Sequence, residues 1–289
     1  MLRGMRKLAV VLVMIVATAL AVRACGGCSG APPRWRFATF NIQDYPKHGR
    51  QAANAFVEIA KLDATVVAVQ EITDPASFAR EAKTRLGKAW RFESLDTSPL
   101  SAGISHRLGV LFDTRAWVLV DARGHDDTRL DSGRWKPIFE VRLRAVPTGE
   151  VVSVLVVHLK AGGDGRDIRA QQYVALTRIV DRVVARGDRV IVMGDFNATD
   201  EVGDRDDLAT LARDSGLAWA TEPLACSAFW DRDDGCFRSR LDHVLAWRRP
   251  LAIEALGGCA TDGCSAGDRC PRYVADVSDH CPVVATITP

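Results

Sequence analysis

The chain has 289 residues, of which 47% are hydrophobic and 26% charged, and its formal net charge is +2. These proportions are ordinary for a folded protein, so they exclude a disordered or fibrous chain. The length favours one large domain over two small ones.

The first 24 residues are typical of an export signal. Three basic residues precede an uninterrupted apolar run of 15 residues, from 8 to 22, that ends at Arg23. A transmembrane helix needs about 20 such residues. We therefore predict a signal peptide over residues 1–24, with a retained signal anchor as the alternative.

The residues around Cys25 resemble the lipobox of bacterial lipoproteins, in which a small residue precedes the lipidated cysteine. Ala24 fits this pattern and Arg23 is untypical of it. Lipidation and plain cleavage therefore both stay open, and a lipid on Cys25 would be the only membrane contact. We expect residues 25–34 to form a short linker to a domain spanning residues 35–289.

Removal of residues 1–24 changes the charge of the protein. Four basic residues are lost, so 34 basic residues face 36 acidic ones and the net charge becomes −2. Nucleic-acid binding thus cannot be argued from bulk charge, although a local basic rim around a cleft stays compatible with it.

Eight nearly continuous apolar runs predict β-strands. They cover residues 35–42, 64–70, 106–112, 136–144, 151–158, 188–194, 241–247 and 282–287. Strands of this kind are usually covered on both faces, which favours an α/β sandwich. Helical periodicity predicts helices over 49–61 and 166–186, and residues 257–272 are predicted to be a loop bound by disulfides.

The polar residues that carry chemistry follow these strands. They lie in TFNIQ (39–43), VVAVQE (66–71), VVHLKAG (156–162), GDFNA (194–198) and SDH (278–280). A strand that buries its body and presents a polar residue at its tip is a common way to build a cleft on a rigid frame.

Asp195 and Asn197 lie two residues apart, so in an extended segment their side chains would share one side and could orient and deprotonate a water molecule. A simple turn is the alternative, because Gly-Asp-x-Asn is good turn chemistry.

Glu71 ends a buried run and needs a partner. With Asn41 and Asp279 it would supply oxygen ligands to Mg²⁺ or Mn²⁺, and Ca²⁺ is also compatible; a salt bridge is the alternative.

Two histidines are placed for proton transfer, His158 after a strand and His280 in SDH. Asp242 could orient His280 by a hydrogen bond.

Several cations could hold neighbouring phosphates, and we favour Arg134 and Arg240 because they flank these segments. A solvated charged face is the alternative. We favour this alternative for Arg107, Lys136 and Lys160 and expect no phosphate contact from them.

Six cysteines fall in the last quarter of the chain: Cys226, Cys236, Cys259, Cys264, Cys270 and Cys281. In an oxidising compartment they predict up to three disulfides, with 15 connectivities that sequence cannot distinguish. Zinc binding is the competing hypothesis, although the tight C-x2-C pairs of a zinc knuckle are missing. We therefore expect a periplasmic, extracellular or lipid-anchored protein.

The ordered set of segments, together with SRLDH (239–243), resembles the endonuclease/exonuclease/phosphatase superfamily, which includes deoxyribonucleases, abasic-site endonucleases, neutral sphingomyelinases and inositol-polyphosphate phosphatases. The resemblance implies a four-layer α/β sandwich with two packed mixed β-sheets flanked by helices. It implies Asn41, Glu71 and Asp279 at a metal. The catalytic residues would be His158, Asp195, Asn197, Asp242 and His280.

Within that family, His158 matches the histidine that the deoxyribonuclease and sphingomyelinase branches use to protonate the leaving oxygen. His106 is the nearest counterpart of the glutamate that supports this histidine in deoxyribonucleases. The resemblance leaves Asp195 and the His280/Asp242 pair as alternatives for the general base.

We therefore expect an exported, metal-dependent phosphodiester hydrolase, in the first place a nuclease with DNA or RNA as substrate. A phosphodiesterase or phosphatase for lipid or small-molecule esters, similar to sphingomyelinases, is the alternative, and a non-catalytic surface lipoprotein is a third. The sequence shows no long exposed aromatic hairpin for insertion into a bilayer, which favours the nuclease.

Overall fold

Two six-stranded mixed sheets and their covering helices make up the computed structural model, which describes residues 34–97, 105–264 and 267–289. The described fold lies within Trp35–Thr288. The predicted signal peptide, Cys25 and all but the last residue of the predicted linker lie outside the described residues. In the part of the chain that is described, no helix is long and apolar enough to span a bilayer.

The strands are β1 (Trp35–Tyr45), β2 (Val66–Ile72), β3 (Trp90–Leu95), β4 (Arg107–Asp113), β5 (Trp117–His125), β6 (Ile138–Ala145), β7 (Val151–His158), β8 (Arg189–Asp195), β9 (Ala218–Trp219), β10 (Ala228–Arg232), β11 (Gly235–Ser239), β12 (Asp242–Ala246), β13 (Ala252–Ala255) and β14 (Val283–Ile287). The α-helices are α1 (Gly49–Lys61), α2 (Pro75–Arg85), α3 (Arg166–Ala185), α4 (Val202–Ser215), α5 (Gly258–Thr261) and α6 (Arg272–Asp276). All eight predicted strands and both predicted helices are present.

The first sheet has the order β13-β14-β1-β2-β4-β3, and the second has β5-β6-β7-β8-β12-β9. Each is mixed, because β1 pairs in parallel with β2, and β7 with β8, while the neighbouring pairs are antiparallel. Strands β10 and β11 form a separate hairpin. The parallel pairs bring the carboxyl ends of β1 and β2, and of β7 and β8, to common edges.

Burial of apolar side chains arranges these elements in four layers. Residues such as Phe37 from the first sheet and Met193 from the second form the core between the sheets. On the outer face of the first sheet, Phe56 of α1 and Phe78 of α2 pack in a second core. Helices α3 and α4 cover the second sheet through a third core that includes Leu176. The predicted four-layer α/β sandwich is therefore confirmed.

Three disulfides hold the C-terminal quarter together. They join Cys226 to Cys264, Cys236 to Cys270 and Cys259 to Cys281. The zinc hypothesis is wrong for these six cysteines, because every sulfur is paired. The predicted loop at 257–272 is bound by disulfides as expected, although it also contains the short helix α5. Three disulfides are consistent with a secreted protein.

Candidate active site

Side-chain alternation along four strands brings polar groups to one edge of the space between the two sheets. The inward-facing residues there include Phe37 of β1, Val156 of β7, Met193 of β8 and Val244 of β12. Every second residue of a strand faces the same side. The inward face of each of these strands therefore carries a polar residue at or near one end of the strand. These four polar residues are Asn41, His158, Asp195 and Asp242, and all are buried.

Asn41 joins the two sheets. Its side-chain amide donates to Asp195 Oδ2 and to Glu71 Oε1, both at 3.1 Å. Its oxygen accepts from the backbone N–H of Gln43 at 3.1 Å. Asn41 was predicted as a metal ligand, but in this arrangement its N–H groups face the carboxylates of Glu71 and Asp195 and its oxygen points to the backbone.

Glu71 reaches the site through an unusual backbone conformation. By simple alternation it would face the helices, as Val67 and Val69 do. A left-handed φ of 61° at Glu71, beside a shift in strand register, turns the side chain toward Asn41. Burial raises the pKa of Glu71, but His158 and the Asn41 hydrogen bond outweigh burial and lower it to about 2.

Asp195 lies at the centre of the cluster. Its Oδ2 atom is 3.6 Å from His158 Nε2 and 3.8 Å from His280 Nε2. Only 2% of the residue is exposed, and this burial raises the pKa of its carboxyl to about 7 even though His280 opposes the shift. Asp195 is thus placed between two imidazoles and can take up a proton near neutral pH.

Asn197 does not lie on the same strand as Asp195, and the expectation of a shared extended segment is wrong. Strand β8 ends at Asp195, and Asn197 has a left-handed φ of 53°. Its backbone N–H donates to Asp195 Oδ1 at 2.8 Å, and its amide donates to the carbonyl of Leu159 at 3.2 Å. The turn alternative was correct, and the turn fixes one oxygen of Asp195.

The predicted pair of Asp242 and His280 is present. His280 Nδ1 lies 2.8 Å from Asp242 Oδ2, which also accepts from Ser227 Oγ at 2.8 Å. Burial lowers the pKa of His280, but Asp242 and Asp195 outweigh it and raise the pKa well above its ordinary value. These two carboxylates therefore favour the imidazolium form of His280, whose Nε2 atom faces Asp195.

His158 has a different environment from the one expected. Its Nε2 atom lies 3.4 Å from Lys136 Nζ and 3.8 Å from Glu71 Oε1. Burial and the nearby Lys136 lower the pKa of His158 well below its ordinary value. The predicted support from His106 is absent, because His106 Nε2 instead pairs with Asp44 Oδ1 at 2.7 Å. Lys136 was assigned to a solvated face from the sequence, yet it belongs to the site.

Asp279 lies beside this cluster. Its Oδ2 atom accepts from Gln43 Nε2 at 3.0 Å, and Ser278 Oγ donates to the Asn41 carbonyl at 2.8 Å. Burial and the charge of Glu71 raise the pKa of Asp279. The segment SDH thus contacts β1 through Ser278 and Asp279 and contacts β12 through His280.

The two predicted phosphate-binding arginines differ in position. Arg134 is exposed and lines a cavity of about 320 Å³ that also contains His158, Lys136 and Lys160. Arg240 is only 5% exposed and donates to the carbonyls of residues 221, 222 and 224. It also pairs with an acidic side chain at position 200, 2.7 Å away. These contacts assign Arg240 a structural role in place of the predicted phosphate contact.

The donor set fits a divalent cation. Glu71, His158 and Asp195 each offer a ligand atom, and these atoms lie within 4.8 Å of one another. Asp44, Glu71 and His106 form a second group of this kind. Carboxylate oxygens are the preferred ligands of Mg²⁺ and Mn²⁺. Glu71 is common to both groups and is the residue on which a bound ion would depend most.

The hairpin of β10 and β11 starts next to the site, because Ala228 forms a β-bridge with His280. Trp230 and Phe237 face each other across the hairpin and are 61% and 37% exposed. The sequence was expected to hold no long exposed aromatic hairpin; this hairpin is short and its tip carries Asp233 and Asp234.

Comparison with known families agrees with this geometry. The model of the Endonuclease/Exonuclease/phosphatase family matches residues 38–280. The chain therefore belongs to this family of hydrolases, whose members include nucleases, phosphodiesterases and phosphatases and generally depend on divalent metals. No curated protein matches the sequence.

Solved structures share the fold at low sequence identity. The human Nocturnin catalytic domain with bound sulfate superposes with a TM-score of 0.65 and 17% identity, covering 88% of this chain and 93% of that one. D. rerio TDP2 complexed with a single-strand DNA product gives 0.63 and 16%, covering 88% and 98%. A mannosyl-6-phosphatase of Bacteroides thetaiotaomicron gives 0.57 and 15%, covering 86% and 98%.

The pair of Asp242 and His280 leads to a direct test. Asp242→Asn removes the negative charge that stabilises the imidazolium, so the pKa of His280 should fall. An NMR titration of the histidine ring protons in the metal-free protein measures this pKa. Asp206→Asn, on the exposed face of α4, is the matched control. An unchanged His280 pKa in Asp242→Asn would contradict the pairing.

Proposed function

We propose that this chain is an exported, metal-dependent phosphodiester hydrolase, and most concretely a nuclease that cleaves DNA or RNA. One observation carries the proposal: Glu71, Asp195, His158 and His280 meet at the edge of the two sheets, beside a cavity with cationic side chains. Hydrolysis of a phosphodiester needs neutralised charge, an aligned water and a proton for the leaving oxygen, and this set provides for each need.

The proposed metal is Mg²⁺ or Mn²⁺, held by Glu71 with Asp195, and Asp279 lies nearby as a further carboxylate. When bound, such an ion would stabilise negative charge on the phosphate and the departing oxygen. Asn41 would keep the two carboxylates in place, because it donates to both in this structure.

We assign the proton steps to the residues around Asp195. Asp195 would take the proton of the attacking water, because Asp242 and Asp195 favour the protonated form of His280, and His158 would donate a proton to the leaving oxygen. Burial and the nearby Lys136 lower the pKa of His158 and so favour its neutral form in the absence of substrate. A phosphate anion beside it would favour its protonated form, since an opposite charge raises the pKa of an imidazole.

The charge of the cavity and one structural relative support a nucleic-acid substrate. Arg134, Lys136 and Lys160 line the cavity that contains His158, and such cations suit a polyanion despite the acidic balance of the whole domain. The TDP2 structure contains a single-strand DNA product. A lipid or small-molecule ester is the second candidate, because Trp230 and Phe237 are exposed next to the site and one relative is a mannosyl-6-phosphatase.

Nuclease activity is tested with protein from Ser29 onward, produced in an oxidising host. We expect Mg²⁺-dependent release of acid-soluble nucleotides from DNA or RNA, and loss of that activity by at least about 100-fold in Asp195→Asn because the base and metal ligand is removed. Asp206→Asn is the control and should retain activity. If nucleic acid stays intact while bis-p-nitrophenyl phosphate is hydrolysed, the nuclease proposal is wrong and the protein is a phosphodiesterase for other substrates.

The proton donor is tested by changing the leaving group. A nucleotide leaves as a poor alkoxide that needs a proton, whereas p-nitrophenolate leaves without one. His158→Ala should therefore lose about 10² to 10⁴ in kcat on DNA and much less on bis-p-nitrophenyl phosphate. His280→Ala should lose similar factors on both substrates. The opposite pattern would assign leaving-group protonation to His280.

Export is supported by the three disulfides and by the N-terminal sequence. The full chain expressed in a bacterium should appear outside the cytoplasm with its six C-terminal cysteines oxidised. Incorporation of labelled palmitate that is lost in Cys25→Ser would establish the lipid anchor, and its absence would leave simple cleavage. Recovery of reduced protein from the cytoplasm would contradict export.

A further inference from the structure

A second cavity adjoins the one that contains His158. It measures about 460 Å³, and its lining includes Gln171, Val174 and Arg178 of α3. Both cavities are lined by Arg134 and Trp135. These two residues thus lie between the cavity that contains His158 and the cavity on the exposed face of α3.

Trp135 is held in place at this boundary. Its carbonyl accepts from Arg129 Nη1 at 3.3 Å, and the carbonyl of Lys136 accepts from Thr128 Oγ1 at 3.0 Å. Thr128 in turn accepts a hydrogen bond from Gln172 of α3 at its carbonyl. These hydrogen bonds tie the backbone that carries the indole to α3. A surface on which a base stacks needs such a fixed position.

Two cations lie against the indole of Trp135. Arg134 Cζ and Lys160 Nζ are each 5.8 Å from the ring centroid. In the second cavity, Asp127 is already paired with Arg182 at 2.9 Å, so its charge is compensated. An aromatic ring flanked by cations matches the two parts of a nucleotide, because a base stacks on the ring and a phosphate pairs with the cation.

We propose that Trp135 and Arg134 form a nucleotide subsite next to the scissile phosphate, with a base stacked on Trp135 and the adjacent phosphate bound by Arg134. This inference rests on the proposed nuclease function and narrows it to flexible single-stranded substrates whose bases are free to stack. A small phosphate ester would fill the cavity at His158 and leave the second cavity vacant.

The test compares KM for a single-stranded oligonucleotide with KM for bis-p-nitrophenyl phosphate. Trp135→Ala should raise the ratio of the two KM values by about tenfold or more, as loss of a base-stacking contact does. Arg134→Gln should raise the same ratio. Arg134 is exposed, so this second variant keeps the test valid if Trp135→Ala fails to fold. Arg205→Gln, at an exposed arginine of α4, is the matched control and should leave the ratio unchanged, and Trp230→Ala tests the exposed tryptophan of the hairpin.

The outcomes separate the subsite from the function on which it rests. If the wild type cleaves the oligonucleotide but neither Trp135→Ala nor Arg134→Gln changes the ratio, the subsite is wrong and the nuclease stands. If Trp230→Ala alone raises the ratio, substrate stacks on the hairpin and the subsite is likewise wrong. A wild type that hydrolyses only bis-p-nitrophenyl phosphate overturns the nuclease proposal and the subsite with it.

Discussion

The hydrogen bond from Asn41 to Asp195 is the interaction on which the site depends. It crosses from the first sheet to the second, and the same amide also holds Glu71. Two carboxylates buried so close together would repel each other without such a donor, and burial alone would favour their protonated forms. The apolar core packs the two sheets together, and one side chain then fixes the two carboxylates relative to each other.

The C-terminal quarter completes the site from the other side. Ser227 donates to Asp242, which pairs with His280, and the next residue, Cys281, is joined to Cys259 by a disulfide. The backbone of Ala228 also bridges to His280. A histidine near the chain end is thus fixed by a covalent link, a β-bridge and a buried carboxylate, which gives the disulfides a role in the geometry of the site.

Much of the fold and site could be predicted from sequence because burial leaves a clear pattern. Asp195 and His158 end apolar strands, so their placement was recognisable. Strand β5 was missed because only its first four residues form an apolar run, after which Asp121 and Arg123 follow. It is an edge strand, and its Val118 and Val120 are exposed. The left-handed backbone of Glu71 and the burial of Arg240 depend on tertiary packing, and no local sequence signal encodes either. The disulfide connectivity was undetermined for the same reason.

We propose that Asn41 holds Glu71 and Asp195 as one divalent-cation site. A crystal structure of the protein with Mn²⁺ tests this, because anomalous scattering locates the ion. We expect a peak within coordination distance of carboxylate oxygens of both Glu71 and Asp195. A peak bound by Asp44 and His106 without Asp195, or the lack of any peak at saturating Mn²⁺, would contradict it.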